Sequence, residues 1–255
     1  MHPGPGRWAR LLACAAMTGL AAPELAQESG NEGEGDRTSG QVTVYGWLAG
    51  AAGEFTPLTG APTLEFDNAF GEVLADLDAA FFASGLLRRD RFVVVADVSY
   101  AALSREGLVP PGIPASGEIS QLAITGAAGV RMADSAELTV DLLAGARLWH
   151  LDGSIEAPLA GVAAAPGKTF VDPIVATRLN ARLAPRLSLL LHADLGGLGI
   201  GSDFTYQIAG SLNYRAGRRF YVSAGWRHLH LDYDDAGTRF DGSQTGPIIG
   251  FTRQF

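Results

Sequence analysis

The stretch that decides the fold is the end of the chain, "GPIIGFTRQF", residues 246–255. One parity of this stretch holds its large or apolar residues, interrupted only by Arg253; they are Pro247, Ile249, Phe251 and Phe255. Successive side chains of a strand point to opposite faces, so this alternation predicts a β-strand with one apolar face. Most domains end in a frayed polar segment, and an aromatic final residue on the apolar face therefore predicts an ordered terminus.

The same alternation recurs along the chain from Gln41 onward. The predicted segments are 41–52, 77–88, 91–103, 118–131, 137–151, 172–184, 187–198, 204–215, 219–232 and 245–255. They divide residues 41–255 into units of about 21 residues, each with one strand and one connection, which suits strands that cross a membrane. The pattern predicts an all-β fold, a single up-and-down antiparallel transmembrane β-barrel of about ten strands, with eight or twelve as the alternatives. A soluble closed barrel would instead keep its large apolar residues inside.

The connections between these segments alternate in length. Tight turns are predicted at "RRD", "MADSA", "APR" and "AGRR", and long connections at 53–76, 104–117, 152–171 and 233–244. The connection "GIGSD" is short and departs from the alternation. Short turns on one side and long loops on the other are typical of outer-membrane barrels, whose short turns face the periplasm.

One connection contains a helical pattern instead of a strand pattern. In "TLEFDNAFGEVLADLD", residues 63–78, the apolar residues recur at helical spacing; they are Phe66, Phe70, Val73, Leu74 and Leu77. This spacing predicts one short amphipathic helix between strands one and two. The helix lies on the rim of the barrel, caps its mouth or folds into it.

The N-terminus has the pattern of a secretory signal peptide over residues 1–26. Arg7 and Arg10 precede the apolar run "LLACAAMTGLAA", and "PELAQ" offers cleavage after Ala26. A lipoprotein signal ending at Cys14 is the alternative, but too few residues separate Arg10 from Cys14 for an apolar core. Residues 27–40 are polar and Gly-rich, which predicts a flexible lead-in to a barrel over 41–255. No later apolar run reaches the roughly 18 residues of a membrane helix.

Alternation also predicts which charged side chains face the barrel interior. A charge at mid-strand costs a few kcal/mol if it faces lipid, so it is expected to point inward. This argument gives a predicted lumen charge network of Asp97, Asp141, Arg147, Arg178, Arg182, Asp194 and Arg227.

An internal echo links two of these arginines. The stretches "GARLWHLD" (145–152) and "GWRHLHLD" (225–232) both read G-x-R-x-x-H-L-D. In one interpretation, the glycine permits close packing and the arginine fills the lumen by pairing with carboxylates such as Asp97, Asp141 and Asp194. In the other, the arginines form a charged constriction or a solute site.

Chemistry-bearing motifs are few. Four histidines are candidates for catalysis or metal binding, namely His150, His192, His228 and His230, but "HLHLDYDD" lacks a fixed ligand geometry. No local motif supports a Ser/His/acid or Asp/His site, although such sites can be assembled across strands. The sequence therefore predicts no enzyme, no metal and no cofactor. The net charge of −8 argues against nucleic acid as a partner.

The signal peptide, the alternating strands and the ending "GPIIGFTRQF" resemble Gram-negative outer-membrane β-barrel proteins. Together with that ending, "AGWRHLHLDYD" also resembles a group of small outer-membrane barrels of undefined function. The resemblance implies export through the periplasm, a monomer in the outer membrane, and outer-membrane lipids and the barrel-assembly machinery as partners. It also implies that Phe251 and Phe255 belong to a C-terminal assembly signal, from which Arg253 departs.

The function expected from these observations is that of an integral outer-membrane barrel with a charge-filled lumen and a structural or surface-interaction role. A narrow, porin-like channel for small solutes is the first alternative. An outer-membrane barrel enzyme that acts on lipid or peptide is the second.

Overall fold

The computed structural model describes residues 38–56, 59–60, 63–109, 113–157, 162–164 and 167–255. The predicted signal peptide and residues 27–37 of the predicted lead-in lie outside these ranges. Residues 38–40, the end of that lead-in, already belong to the first strand. Among the described residues, no helix is both long and apolar enough to span a bilayer.

Thirteen strands and one short helix make up the described chain. The strands are β1 (Thr38–Trp47), β2 (Gly50–Thr56), β3 (Leu64–Asn68), β4 (Leu77–Arg89), β5 (Phe92–Val109), β6 (Ile113–Asp134), β7 (Leu138–Ala157), β8 (Val162–Ala164), β9 (Gly167–Ala184), β10 (Leu187–Gly197), β11 (Phe204–Arg215), β12 (Phe220–Asp235) and β13 (Thr238–Gln254), and the helix is α1 (Phe70–Ala75).

Ten of these strands close into an antiparallel barrel, as predicted. Their order is β1-β4-β5-β6-β7-β9-β10-β11-β12-β13, and β13 pairs with β1 to complete the ring. β2 continues along β13 beyond the end of β1, β3 pairs with β2, and β8 pairs with the end of β7. Closure removes the open sheet edge that lipid does not tolerate.

The chain end is the closing strand of this barrel. Val44 lies opposite Phe251 in the β1–β13 register. The backbone N–H and carbonyl of Phe255 exchange hydrogen bonds with Gly40 at 3.0 Å each. A Cβ atom on Gly40 would lie 2.4 Å from the Phe255 ring, so the ring covers the glycine. Phe251 stacks on Phe220 of the neighbouring strand, with ring centroids 5.5 Å apart. The terminus is therefore ordered by pairing on both sides.

Several predicted long connections are wrong, because the strands continue through them. β5 and β6 remain paired up to Val109 and Ile113, and β12 and β13 are joined by Ala236 and Gly237 alone. These two residues have φ of 51° and 85°, the left-handed values of a tight hairpin turn. Outside the membrane both faces of a hairpin can be polar, so the apolar alternation stops although the hydrogen-bonded ladder does not.

The predicted helix is confirmed between the first two barrel strands, but it is shorter than its pattern. β3 takes up residues 64–68, because the edge of β2 offers hydrogen-bonding partners, and Phe66 stacks on Phe240 at 6.2 Å. Leu77 is the first residue of β4. α1 buries none of its side chains and lies beside β2 and β3, which is the rim position.

The exterior of the barrel is apolar. Exposed large hydrophobic side chains occur on every barrel strand; examples are Val44, Leu87, Val94, Ile124, Leu142, Val175, Leu191, Ile208, Val222 and Ile249. Aromatic residues gather where the strands meet the tight turns, namely Phe92, Tyr214, Phe220 and Phe255. This pattern matches a lipid-facing belt with an aromatic girdle. A soluble barrel would bury these side chains.

Candidate functional site in the barrel lumen

Polar and charged side chains face the lumen, which contains a chamber of about 440 Å³. The end of the barrel with the tight turns and the C-terminus is called here the short-turn end, and the opposite end is called the long-loop end. The chamber reaches the short-turn end, where Ser135, Glu137, Arg215 and Gln254 line it. Tyr45, Asp97, Arg147 and Arg227 line its inner part.

Arg147 and Asp194 form a buried ion pair in the inner part of the lumen. Nη2 of Arg147 donates to both carboxylate oxygens of Asp194 at 2.9 Å, and Nε donates to Thr125 at 3.0 Å. Asp194 also accepts from Gln207 at 3.2 Å, and its Oδ2 lies 3.0 Å from Nε2 of His192. The two charged side chains are 1% and 0% exposed, so each compensates the desolvation of the other.

Arg227, the arginine of the second copy of the echo, occupies a different environment. Its Nη1 donates to the hydroxyl of Tyr45, which in turn donates to Asp97 at 2.8 Å. Nη2 of Arg227 lies 3.6 Å from Asp97. The guanidinium also stacks over Trp47, 4.5 Å from the ring centroid. Both echo arginines therefore pair with lumen carboxylates, one directly and one largely through a tyrosine.

Asp141 does not pair with either echo arginine. Arg131 binds it through two hydrogen bonds, from Nε at 2.7 Å and from Nη2 at 3.1 Å. Arg131 is the last residue of the predicted segment 118–131, and no local signal assigns it to Asp141. The pairing depends on the β6–β7 register, which sets these two residues side by side.

Arg178 and Arg182 line the chamber from β9, with Asn180 between them on the same face. Within the part of the chain that the structure describes, neither guanidinium has a hydrogen bond or an ion pair with another side chain. Their inward direction follows the predicted alternation. Arg178 lies opposite Asp141 in the β7–β9 register without a hydrogen bond to it, and Arg182 lies farther toward the short-turn end.

Asp172 is a lumen carboxylate that the sequence analysis missed. It is fully buried and accepts hydrogen bonds from the indole of Trp149 at 2.8 Å and from the backbone N–H and hydroxyl of Ser202, at 2.6 and 2.8 Å. Asp172 shares the parity of Ile174 and Ala176, which face inward. That parity could have predicted an inward Asp172. It was not used because Asp172 is the first residue of the predicted segment 172–184.

An apolar cluster lies in the lumen between the paired charges and the long-loop end. Its buried members are Trp47, Phe82, Ala123, Trp149, Leu229 and Leu231, and Tyr45, Leu151, Phe170 and Phe240 pack against them. Gln121 and Gln244 exchange amide hydrogen bonds across the lumen at 3.4 and 3.0 Å. Leu229 and Leu231 share the inward parity of Arg227, so alternation indicates their direction but not their assembly.

The histidines of the echo face outward, away from the lumen. Tyr206 contacts His228 and His230, and its hydroxyl lies 3.1 Å from Nε2 of His228. On β7 and β9, Nδ1 of His150 lies 2.7 Å from the hydroxyl of Thr169, and Nε2 lies 2.8 Å from Asp152. No group of three or more metal-ligating side chains occurs among the described residues.

Comparison with known proteins gives structural likeness only. No family model matches the sequence, and no curated protein matches it. The outer membrane protease OmpT from Escherichia coli is 11% identical, with a TM-score of 0.48 over 86% of this chain and 97% of the protease. Ail, the attachment invasion locus protein of Yersinia pestis, is 11% identical, with a TM-score of 0.39 over 86% and 99% of the two chains. Neisserial surface protein A is 12% identical, with a TM-score of 0.36 over 87% and 100%.

At such identities and scores, these proteins carry no information about the activity or partners of this chain. The class rests on the fold itself. A closed antiparallel barrel of ten strands with an apolar exterior and a polar interior is an outer-membrane β-barrel of the Gram-negative type.

Proposed function

We propose that this protein is a non-conducting outer-membrane barrel whose lumen contacts brace the wall and whose long-loop end presents an interaction surface. The observation that carries the proposal is the apolar cluster around Trp47, Phe82 and Trp149, which lies across the lumen. A ten-stranded barrel is only slightly wider than the eight-stranded size that side chains fill completely. Aromatic side chains and one layer of paired charges are therefore sufficient to block it.

The paired charges support a bracing role. Arg147 on β7 reaches Asp194 on β10, and Arg227 on β12 reaches Tyr45 on β1 and Asp97 on β5. Each contact joins strands that are not neighbours in the barrel order. Charge-assisted hydrogen bonds of this kind are stronger than neutral ones, so they tie distant parts of the wall together.

The surface role rests on the length of the hairpins at the long-loop end. β5, β6 and β7 have 18, 22 and 20 residues, whereas about ten residues suffice to cross a membrane. Their outer parts therefore stand beyond the lipid as paired strands. One polar contact between the strands of this region joins Lys168 to Asp235 at 3.2 Å, and this hydrogen bond raises the pKa of the lysine.

Planar-bilayer recording of the purified protein tests the proposal against the channel alternative. We expect no large, stable single-channel steps, because the apolar cluster and the Gln121–Gln244 hydrogen bonds join strands on different sides of the lumen. A general porin reconstituted in the same lipid serves as the positive control. Large, stable steps from the parent protein would reject the proposal and favour a small-solute channel.

One observation favours the enzyme alternative. A hydroxyl–imidazole–carboxylate series lies on the exterior, at the margin of the apolar belt nearer the long-loop end. It consists of Thr169, His150 and Asp152. A hydroxyl activated by a histidine can attack an ester carbonyl. At this position, the ester would belong to a lipid of the outer leaflet. Release of fatty acid from outer-leaflet lipid by the parent, lost in Thr169→Val and in His150→Gln, would establish it. Equal or absent release from parent and variants would leave the series a surface hydrogen-bond network.

A further inference from the structure

The chamber at the short-turn end has an excess of positive charge. Its lining includes five arginines and two carboxylates; they are Arg147, Arg178, Arg182, Arg215 and Arg227, with Asp97 and Glu137. Two of the arginines are already neutralised, Arg147 by Asp194 and Arg227 by Asp97. Arg215 donates to the hydroxyl of Tyr221 at 3.2 Å, which leaves its charge uncompensated.

Arg178 is the innermost of the chamber arginines that have no hydrogen bond to a carboxylate in the described structure. In the strand register it lies between Asp141 on β7 and His192 on β10. Both oxygens of Asp141 are already held by Arg131, so the nearest carboxylate is neutralised by another arginine. His192 is directed to Asp194. The guanidinium of Arg178 can therefore offer its five N–H donors to a ligand in the chamber.

The other donors of the chamber are arranged around the same space. Arg182 and Asn180 continue the polar face of β9 toward the short-turn end. Deeper in the chamber, Nε of Arg227 is buried and has no hydrogen-bond acceptor among the described residues. The donors thus run from the mouth of the chamber to its inner wall.

The volume of the chamber defines the size of a ligand. A space of about 440 Å³ falls in the range of small-molecule sites and is larger than one inorganic anion requires. The apolar cluster lies beyond its inner end and offers no partner to a charged solute. A ligand that enters from the short-turn end would therefore also leave by it.

We infer that this chamber is a binding site for a small anion that carries phosphate or carboxylate groups. Arg178 is its principal contact, and Arg182 and Asn180 lead to it from the mouth. Planar and tetrahedral oxyanions match the fork of an arginine, which binds two oxygens at once. The inference goes beyond the proposed function, because it assigns a ligand to the lumen of a barrel that does not conduct.

Isothermal titration of the detergent-solubilised protein with inorganic phosphate and with citrate, at low ionic strength, tests the inference. We expect the parent to bind at least one of the two anions. The tighter binder shows whether the chamber prefers phosphate or carboxylate groups. Arg178→Gln should weaken that binding by about tenfold or more, the loss typical of a charge-assisted contact. Arg253→Gln is the matched control, because Arg253 is exposed on β13 near the same end of the barrel and does not line the chamber.

Two results would overturn the inference: no binding of either anion by the parent, or equal binding by the parent and Arg178→Gln. The heat-sensitive shift of the folded band on a gel verifies that the variant is folded. Arg178 has no hydrogen bond to another side chain in the described structure, so folding is expected. If Arg178→Gln does not fold, Arg182→Gln carries the same test, and unchanged affinity in that variant also overturns the inference.

Discussion

At the scale of single residues, the two copies of the G-x-R-x-x-H-L-D echo share their packing but not their partners. A Cβ atom on Gly145 or Gly225 would lie 2.0 Å from a carbonyl oxygen of the adjacent strand, so each glycine permits a close approach of two strands. The arginine two residues later points into the lumen in both copies. Arg147 then donates directly to Asp194, whereas Arg227 donates to Tyr45, stacks over Trp47 and lies 3.6 Å from Asp97. The common part of the motif thus has a structural explanation.

The first prediction concerns Arg147. Arg147→Ala leaves Asp194 charged and buried without its cation, at a cost of about 3–5 kcal/mol in a dry site. The folded band on a gel should unfold at a clearly lower temperature, while the protein remains in the membrane fraction because its exterior is unchanged. Arg253→Ala, an exposed arginine, is the control and should melt like the parent. Parent-like melting of Arg147→Ala would contradict the bracing role of the pair.

The second prediction orders the two echo arginines. Arg227 lies 3.6 Å from Asp97, which is about one-fifth exposed, whereas Arg147 lies 2.9 Å from a fully buried carboxylate. Solvent can therefore compensate Asp97 in part when its partner is removed. We expect Arg227→Ala to lower the unfolding temperature, but by less than Arg147→Ala. The reverse order in the same gel assay would show that the stacking of Arg227 over Trp47 outweighs the ion pair.

At the scale of elements, two contacts stabilise strand ends beyond the regular backbone hydrogen bonds of the sheet. One is made by a buried side chain and the other by the C-terminal residue. Asp172 on β9 fixes the turn between β10 and β11 through Ser202, and Phe255 fixes the seam between β13 and β1 through Gly40. Both contacts lie at an end of a strand, where ladders fray most easily. They give these ends partners other than water.

The third prediction concerns the turn between β10 and β11. Asp172→Ala leaves the buried indole N–H of Trp149 and the hydroxyl of Ser202 without acceptors, and each unpaired group costs about 1–3 kcal/mol. The turn should then become sensitive to protease on intact cells or in liposomes. Asp203→Ala, an exposed change in the same turn, should leave the turn protected. Equal protection in both variants would mean that Asp172 does not hold the turn.

The fourth prediction concerns the terminal strand and its expected role as an assembly signal. Phe255→Ala removes the ring that covers Gly40 and reduces the aromatic girdle at the seam. We expect less folded protein in the outer membrane, with the unfolded form accumulating in the periplasm. Phe92→Ala removes an equally exposed aromatic residue at the same end of the barrel and should have a smaller effect. Similar amounts of folded protein from the two variants would mean that Phe255 acts as a girdle residue and not as an assembly signal.

At the scale of the whole molecule, the lumen is divided into layers along its axis. A polar chamber reaches the short-turn end, paired charges lie inside it, and the apolar cluster occupies the space toward the long-loop end. The barrel wall is thus supported from within by two kinds of contact, one electrostatic and one apolar. The chamber, with a volume of about 440 Å³, leaves room for a small ligand.

The fifth prediction concerns the apolar cluster as the barrier to conduction. Phe82→Ala combined with Leu229→Ala removes two buried side chains and should open a path for small ions, at a stability cost of about 2–5 kcal/mol for each change. Planar-bilayer recording should then show steps that the parent lacks. Phe81→Ala with Val222→Ala, two exposed positions, is the matched control. An absence of steps in the folded double variant would place the barrier elsewhere in the lumen.

The sequence alone predicted about ten barrel strands, the lipid-facing and lumen-facing sides, and the inward direction of residues such as Asp97, Arg147 and Arg227, and closure of the ring decided for ten over eight or twelve. These features depend on a period of two residues, which is local and can be read along one strand. Lipid reinforces the signal, because it requires an apolar exterior and a closed ring. The parts of the hairpins outside the membrane were not predicted as strands, since strands in water need no apolar face.

The tertiary structure decided which lumen residues meet. The assignment of Arg131 to Asp141, the contact of Asp172 with Ser202, and the assembly of Trp47, Phe82 and Trp149 join residues from different strands. Such contacts depend on the register between strands and on the stagger of the closed barrel, which no single strand encodes. Alternation states that a side chain enters the lumen, and only closure of the barrel sets the depth and the partner it finds there.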